Sequence, residues 1–377
     1  MKQRKGKWLF ALTTVFALCC AGVAIADNES ATAGQPLKLS LSQAISTALE
    51  NNSSIEIAQL QIDSLDVSLK ELNNTIRKME IRDLPLAAQT QDYFMLMEIT
   101  PAKTEAARDL AVKAHAYTKN SISYGVEAAY FGVLQAEKNL EFAKSSLERA
   151  NTQLKNAQAS YKAGTVAKLD VLSAESTAKS AQATVNEAQN SVTSAKMELN
   201  QLMGLPLTQE LVLTTELTAK SAGNIDLAAT IETVMTSDVT VASAKLSMLN
   251  SELDLEYTNY VYDDGSYEYK RDEAAYKEAV LDYEDAQKTL EKNVRNAYND
   301  LATSAENISV LNSSLELAKE SYRLSQLQYE MGMATTYDVL NAEATLKQVE
   351  LGWLNAIYNN NLANAKFTYG VFITGGK

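Results

Sequence analysis

Apolar residues recur along this chain with a period of seven over two long stretches, and that repeat predicts most of its elements. In the first stretch Val126, Val133, Leu140, Leu147, Leu154 and Tyr161 stand seven apart, with Ala129, Ala136, Ala143, Ala150 and Ala157 three residues behind. This alternation is the a/d seam of a coiled coil. After Tyr161-Lys-Ala-Gly164 the rule resumes with Val171, Ala178, Val185, Val192 and Leu199, offset by Ala174, Ala181, Ala188, Ala195 and Leu202. The alanines let two helices approach closely, so Val126 to Leu202 is predicted to be a helical hairpin folded at its glycine.

The same hairpin is written twice. Val294, Leu301, Ile308, Leu315, Tyr322 and Tyr329 follow the first seam by 168 residues. Short words return with them. Val126-x-x-Ala129-Tyr130 becomes Val294-x-x-Ala297-Tyr298, and Tyr161-x-x-Gly164 becomes Tyr329-x-x-Gly332. Asp170-Val-Leu-x-Ala174-Glu175 likewise becomes Asp338-Val-Leu-x-Ala342-Glu343. A period of this kind marks a duplicated structural unit. We read residues 39–204 as the first repeat, 205–222 as a linker and 223–377 as the second repeat.

Each repeat opens with shorter elements. Leu39 to Asn52 reads as a short helix started by Ser40 or Ser42 and stopped by Asn51-Asn52. From Ser53, helical spacing continues through Ile55, Ala58, Ile62, Leu65 and Leu69. The offset to the second unit falls from 186 to 168 by Val126, so that unit lacks 18 residues between its first and second long helices. In the first unit this connection holds Pro85, the patch Tyr93 to Met97, and Thr100-Pro101, which reads as a helix N-cap followed by proline at the first turn. Its counterpart, Tyr257 to Lys270, places four tyrosines around Asp263-Asp264-Gly265 and reads as a hairpin-like turn. Glu210 to Thr214 in the linker reads as a short strand. The fold class is therefore all-α: elongated antiparallel coiled-coil hairpins in two tandem repeats, with little or no β-barrel.

Composition changes this picture at the start of the chain. Lys2, Arg4, Lys5 and Lys7 precede an apolar run ending in Ala24-Ile25-Ala26, so residues 1–26 read as a signal peptide and 27–38 as a flexible lead-in. Both cysteines, Cys19 and Cys20, fall inside that leader, and lipidation at one of them is the competing reading. Losing the leader's four basic residues takes the formal net charge from -13 to -17, which disfavours nucleic acid as a partner. No later run approaches the ~18 apolar residues of a spanning helix.

Candidate chemistry is sparse. His115, the only histidine, has no cysteine or second histidine to complete a transition-metal site. Carboxylates are abundant, but none comes with a nucleophile or a phosphate-binding loop, so neither an enzyme nor a cofactor is expected. Asp170 and Asp338 each follow a turn, where an aspartate favours the start of a helix. Tyr161 and Tyr329 read first as seam residues, and Gly164 and Gly332 as the conformationally free residue of a tight turn.

Together these motifs resemble the outer-membrane efflux protein family, the TolC-like channel-tunnels. The likeness covers the opening Leu39 to Asn52, both Tyr-x-x-Gly turns with Asp-Val-Leu, and the closing Leu202-Met-Gly204, whose counterpart is Gly370. The resemblance implies a homotrimeric helical tunnel continued by a β-barrel in the outer membrane. It also implies that the two turns dock a periplasmic adaptor (membrane fusion protein) and an energised inner-membrane pump. Tyr329, Asp170 and Asp338 match positions at the tunnel mouth or gate, and Tyr161, Gly164 and Gly332 the hairpin turns for adaptor docking. Ala334 and Asn341 stand where the well-studied gate has an arginine and an aspartate, so the usual closing ion pair is not expected. Neither connecting segment supplies paired strands of the ~9–11 residues a membrane barrel needs, so the barrel is expected to be reduced or absent. The alternative reading is a barrel-less scaffold or spacer of the cell envelope. The adaptor class itself would need a lipoyl-like strand domain flanking one hairpin, and here there are two hairpins with none.

Overall fold

The computed structural model describes residues 36–80, 91–220, 223 and 225–372. The signal peptide, the cysteines, most of the lead-in and Pro85 lie outside them. Everything below concerns the body Gln35–Lys377, which groups separately from Met1–Gly34.

The duplication is visible element by element. Helix α1 (Leu41–Asn51) leads into α2 (Ser53–Glu80), the short α3 (Gln91–Phe94), a π-helical turn (Met95–Ile99), α4 (Thr100–Lys162) and α5 (Lys168–Leu202). The second repeat gives α6 (Leu227–Ser237), α7 (Val239–Val261), α8 (Tyr267–Glu330) and α9 (Thr336–Tyr369). Helices α4 and α8 have 63 and 64 residues, about 95 Å at ~1.5 Å per residue. Among the described residues the strands are β1 (Leu37–Leu39) and β2 (Leu211–Leu213), paired in parallel with Leu39 opposite Leu213.

The local signals largely act as read. Ser40 caps α1, and Gln43 returns the bond by accepting from the Ser40 N–H at 2.9 Å, completing a capping box. Three expectations change. Leu37 and Lys38, read as lead-in, belong to β1, because Leu39 is buried against Tyr130 and Leu211. Thr100 does not cap α4: the helix enters from the π-helical turn, and the Thr100 hydroxyl donates to the Met95 carbonyl at 2.7 Å. Asp263-Asp264-Gly265 is not a strand hairpin but the turn between α7 and α8, with Ser266 accepting from the Tyr269 N–H as the new N-cap.

Each hairpin closes along its predicted seam. Val126, Val133, Leu140, Ala143, Ala150 and Ala157 of α4 are buried facing Ala174, Ala178, Ala181, Ala188, Val192 and Leu199 of α5. Val294, Leu301, Ile308 and Leu315 of α8 are buried beside Val339, Leu346 and Leu354 of α9. Tyr161 is the exception, 46% exposed because α4 ends one residue later.

The repeats are joined by α4, which packs on α9 and α7 of the second repeat as well as on α5. At the strand end this joint carries a network of polar bonds. The buried Tyr130 hydroxyl donates to the Leu39 carbonyl at 3.0 Å and accepts from the Thr215 N–H at 3.1 Å. The buried Glu127 carboxylate takes Lys220 of the linker and the Tyr369 hydroxyl at 2.9 Å. Burial and the adjoining Glu127 charge push the Tyr369 hydroxyl well above the usual phenol range. Asn361 donates to the Thr218 carbonyl at 2.9 Å. The linker is thus a strap fastened to both repeats.

Candidate functional site

The two Tyr-x-x-Gly turns form one site because α4 and α8 run to the same end. Their sequence dictates their shape. In the first, Gly164 has φ 77°, its N–H donates to the Tyr161 carbonyl at 2.9 Å, and the Thr165 N–H donates to Ser160 at 3.0 Å. In the second, Gly332 has φ 75°, with Gly332 donating to Tyr329 at 2.9 Å and Met333 to Gln328 at 2.8 Å. Both are Schellman closures, in which the residue after the helix must be left-handed. The tyrosine three residues earlier supplies one of the two carbonyls, which explains the spacing of the motif.

The aspartates start the returning helices, from the third helical position rather than the cap itself. Asp338 Oδ2 accepts from the Thr335 N–H at 2.8 Å and from its hydroxyl at 2.7 Å, while Thr335 Oγ1 accepts from the Asp338 N–H. The Thr335 hydroxyl, then its backbone N–H, hold the Asp338 carboxyl below the ordinary aspartate range. Asp170 makes the corresponding bond to the Ala167 N–H at 2.9 Å, but Ala167 has no side chain to reciprocate.

Between the turns lies a cleft of about 880 Å³, lined by Asn156, Ser160, Thr165, Asp170, Tyr329, Gly332, Ala334 and Thr335. Asp170, Tyr329 and Gly332 of the predicted site meet there. Asp338, Tyr161 and Gly164 are near it in the chain but not in its lining. Around the cleft, Leu169, Met331, Met333 and Tyr337 are exposed, Tyr337 at 75%. Sequence reasoning passed over them, although Leu169 and Tyr337 are an equivalent pair of the repeat and each breaks the polar character of a turn.

A polar cluster further along α4 was also missed. The Arg149 guanidinium meets the buried Glu343 carboxylate at 3.3 Å and lies 5.5 Å from the centre of the Tyr322 ring, while the Ser146 hydroxyl donates to Glu343 at 2.9 Å. The signal was present: Glu343 belongs to the repeated Asp-Val-Leu-x-Ala-Glu word. Among the described residues no cluster of His, Cys, Asp or Glu has metal-binding geometry, and no helix is long and apolar enough to cross a membrane.

Fold and site together define a helical-hairpin protein of duplicated design, with both turns at one end. A family model described as outer membrane efflux protein matches residues 101–205 and 225–366, and the chain belongs to that family. It is similar to solved structures of a membrane protein from Pseudomonas aeruginosa (14% identity, 87% of this chain and 92% of that one, TM-score 0.73). The Campylobacter jejuni CmeC outer membrane channel is also similar (12%, 89% and 87%, TM-score 0.72). So is the open state of the Neisseria gonorrhoeae MtrE outer membrane channel (17%, 88% and 88%, TM-score 0.66). At these identities the likeness is one of fold. No curated protein sequence matches the chain.

Proposed function

We propose that this protein is a passive efflux or secretion duct of the cell envelope, exported by residues 1–26 and built by copies of the chain arranged as a homotrimer. It performs no catalysis. The observation that carries the reading is the pairing of both hairpin turns around one cleft with an apolar rim, a surface suited to a periplasmic adaptor working with an energised inner-membrane pump. We assign Tyr329, Asp170 and Asp338 to the mouth and the turns at Tyr161, Gly164 and Gly332 to adaptor docking. Residues 39–204 and 223–377 are the two repeats, and 205–222 the strap between them.

Self-association has its own support. Val310, Leu317 and Leu324 of α8, with Met331 at its C-cap, form a heptad stripe outside the hairpin seam, with Leu317 72% exposed. Shifting back by the repeat brings Leu317 onto Arg149, the residue with which α4 holds α9. The stripe therefore calls for the equivalent helix, α5, of another copy.

The second reading, a barrel-less scaffold or spacer, draws on the connecting segments: residues 91–99 are helical, and 257–270 run helix, turn, helix. Purification of residues 27–377 without detergent, with mass by light scattering and an electron-microscopy envelope, separates the two. A soluble trimer with an axial hole supports a duct without a membrane barrel. A monomer or a filled bundle refutes the duct, and insolubility without detergent places a membrane-embedded part back in the molecule.

A further inference from the structure

Helices α1 and α6 have the same length, stand 186 residues apart, and are each followed after one residue by the next helix. Their ends are packed differently. In the first repeat Asn51 donates to the Met203 carbonyl at 3.1 Å, and a Cβ on Gly204 would come within 2.9 Å of the Asn51 Cβ, so the end of α1 is closed against the end of α5. In the second repeat Ser237 takes the place of Asn51, and its hydroxyl turns back to the Thr233 carbonyl of its own helix at 3.1 Å. A Cβ on Gly370, the counterpart of Gly204, would meet nothing within 4 Å. The space left open is a cavity of about 560 Å³, bounded by α6, the start of α7, the last turn of α9, and Tyr117 and Asn120 of α4. That is the size of a small-molecule site.

The charge of this place differs between the repeats together with its shape. Ser40 caps α1, and Asn52 starts α2 by accepting from the Ser54 N–H at 2.9 Å. At the same positions of the second repeat Asp226 caps α6 and Asp238 caps α7. Neutral serine and asparagine cap a helix as well as aspartate does, so capping does not call for the two carboxylates. Both line the cavity. Asp238 is only 4% exposed, and its capping bonds, to the Thr240 and Val241 N–H groups at 2.8 and 3.0 Å, are both made through Oδ1. Among the described residues its Oδ2 takes no hydrogen bond, and the cavity lining holds no lysine, arginine or histidine. The last turn of α9 adds the negative end of a helix dipole to the same wall. A carboxylate buried this deeply calls for a counter-charge.

We propose that this cavity binds a small organic cation, a protonated amine or quaternary ammonium carrying an apolar group. Its charge meets Asp238 and Asp226, and its apolar part lies against Val234 and Phe367, which give the cavity an apolar wall. The Tyr117 and Phe367 rings in the lining favour an ammonium further, because an aromatic face attracts a cation. A divalent metal ion is served less well, since among the described residues no third carboxylate joins these two. Bound there, the cation ties α6 to α4 and α9. The site does not rest on the duct reading, since it lies away from the turns and a scaffold with the same fold would hold it equally.

Saturation-transfer difference nuclear magnetic resonance tests this on the full chain, with benzyltrimethylammonium as the probe and benzyl alcohol and benzoate as its neutral and anionic comparators. The expected result is saturable binding of the cation alone. The double variant Asp226→Ser, Asp238→Asn copies the caps of the first repeat, so helicity by circular dichroism stays constant, and it should weaken binding at least about tenfold. Ser237→Asn puts the closing residue of the first repeat into the cavity and should also weaken binding, without changing any charge. Asp263→Asn with Asp264→Asn removes two carboxylates from the exposed turn between α7 and α8 and should leave binding unchanged, which separates a built site from general attraction to an acidic chain. Absence of saturable binding, equal binding of benzyl alcohol, full affinity in either cavity variant, or an equal loss in the turn variant would overturn the proposal.

Discussion

Replacing Tyr130 by phenylalanine tests how the repeats are tied together, and the duplication supplies the control. The Tyr130 side chain is fully buried, and its hydroxyl serves two backbone groups, the Leu39 carbonyl and the Thr215 N–H. Losing the hydroxyl affects them unequally. Leu39 keeps the Thr214 N–H at 3.0 Å and the Thr214 hydroxyl at 3.3 Å, so its carbonyl stays satisfied. The part-buried Thr215 N–H is left without this acceptor. An orphaned donor costs about 1–3 kcal/mol and a lost net hydrogen bond about 1 kcal/mol, which puts Tyr130→Phe near 2 kcal/mol of destabilisation. Tyr298 is the equivalent residue of the second repeat, but it is 36% exposed on α8, with no strand above it. Tyr298→Phe should then change stability by less than about 0.5 kcal/mol. Urea denaturation at one fixed protein concentration reads both, as a shift in midpoint at unchanged slope. Equal effects of the two substitutions, or none from Tyr130→Phe, would refute the claim that this hydroxyl fastens the strap.

Other outcomes follow from the same geometry. Leu317→Glu together with Leu324→Glu puts charge in the α8 stripe and should abolish self-association in sedimentation velocity, with helicity by circular dichroism unchanged. Gly204→Ala should destabilise by about 2 kcal/mol or more: φ there is 68°, and a Cβ would sit 2.9 Å from Asn51 Cβ. The Asp338 carboxyl is depressed by its Thr335 partners, so its contribution is present above the ordinary aspartate value of 3.8 and lost as pH falls through its lower folded value. Nuclear magnetic resonance of the first turn of α9 should show that loss on acidification, and Asp338→Asn should remove the pH dependence. Glu350 has the opposite sign. Its raised value gives the α4–α9 joint a contribution that is complete below the ordinary glutamate value of 4.5 and lost as pH rises through the folded value. Urea midpoints should carry a component that falls over that rise, and Glu350→Gln should remove it.

The sequence determined the parts of this protein whose cause is local or periodic. A seven-residue apolar repeat can be buried only along one helix face, so Val126 to Ala157 and Val294 to Leu315 announced their seams without any tertiary information. The turns were equally legible, because only a residue free to adopt positive φ closes a helix as Gly164 and Gly332 do. Tertiary structure decided which repeated residues share a neighbourhood. Tyr130 and Tyr298 stand in the same word of the sequence, yet one is a buried fastener and the other lies on the surface, because Leu39 of β1 and Thr215 of the strap close over Tyr130. Gln153, Glu343 and Glu350 are polar residues that periodicity alone does not place in a core, and the packing of α4 on α9 buries them. The connecting segments misled for a related reason: alternating tyrosines describe a strand or a helix end equally well, and the neighbouring helices α7 and α8 chose the helix. Periodicity states which face of a helix must be covered, and only the folded chain states what covers it.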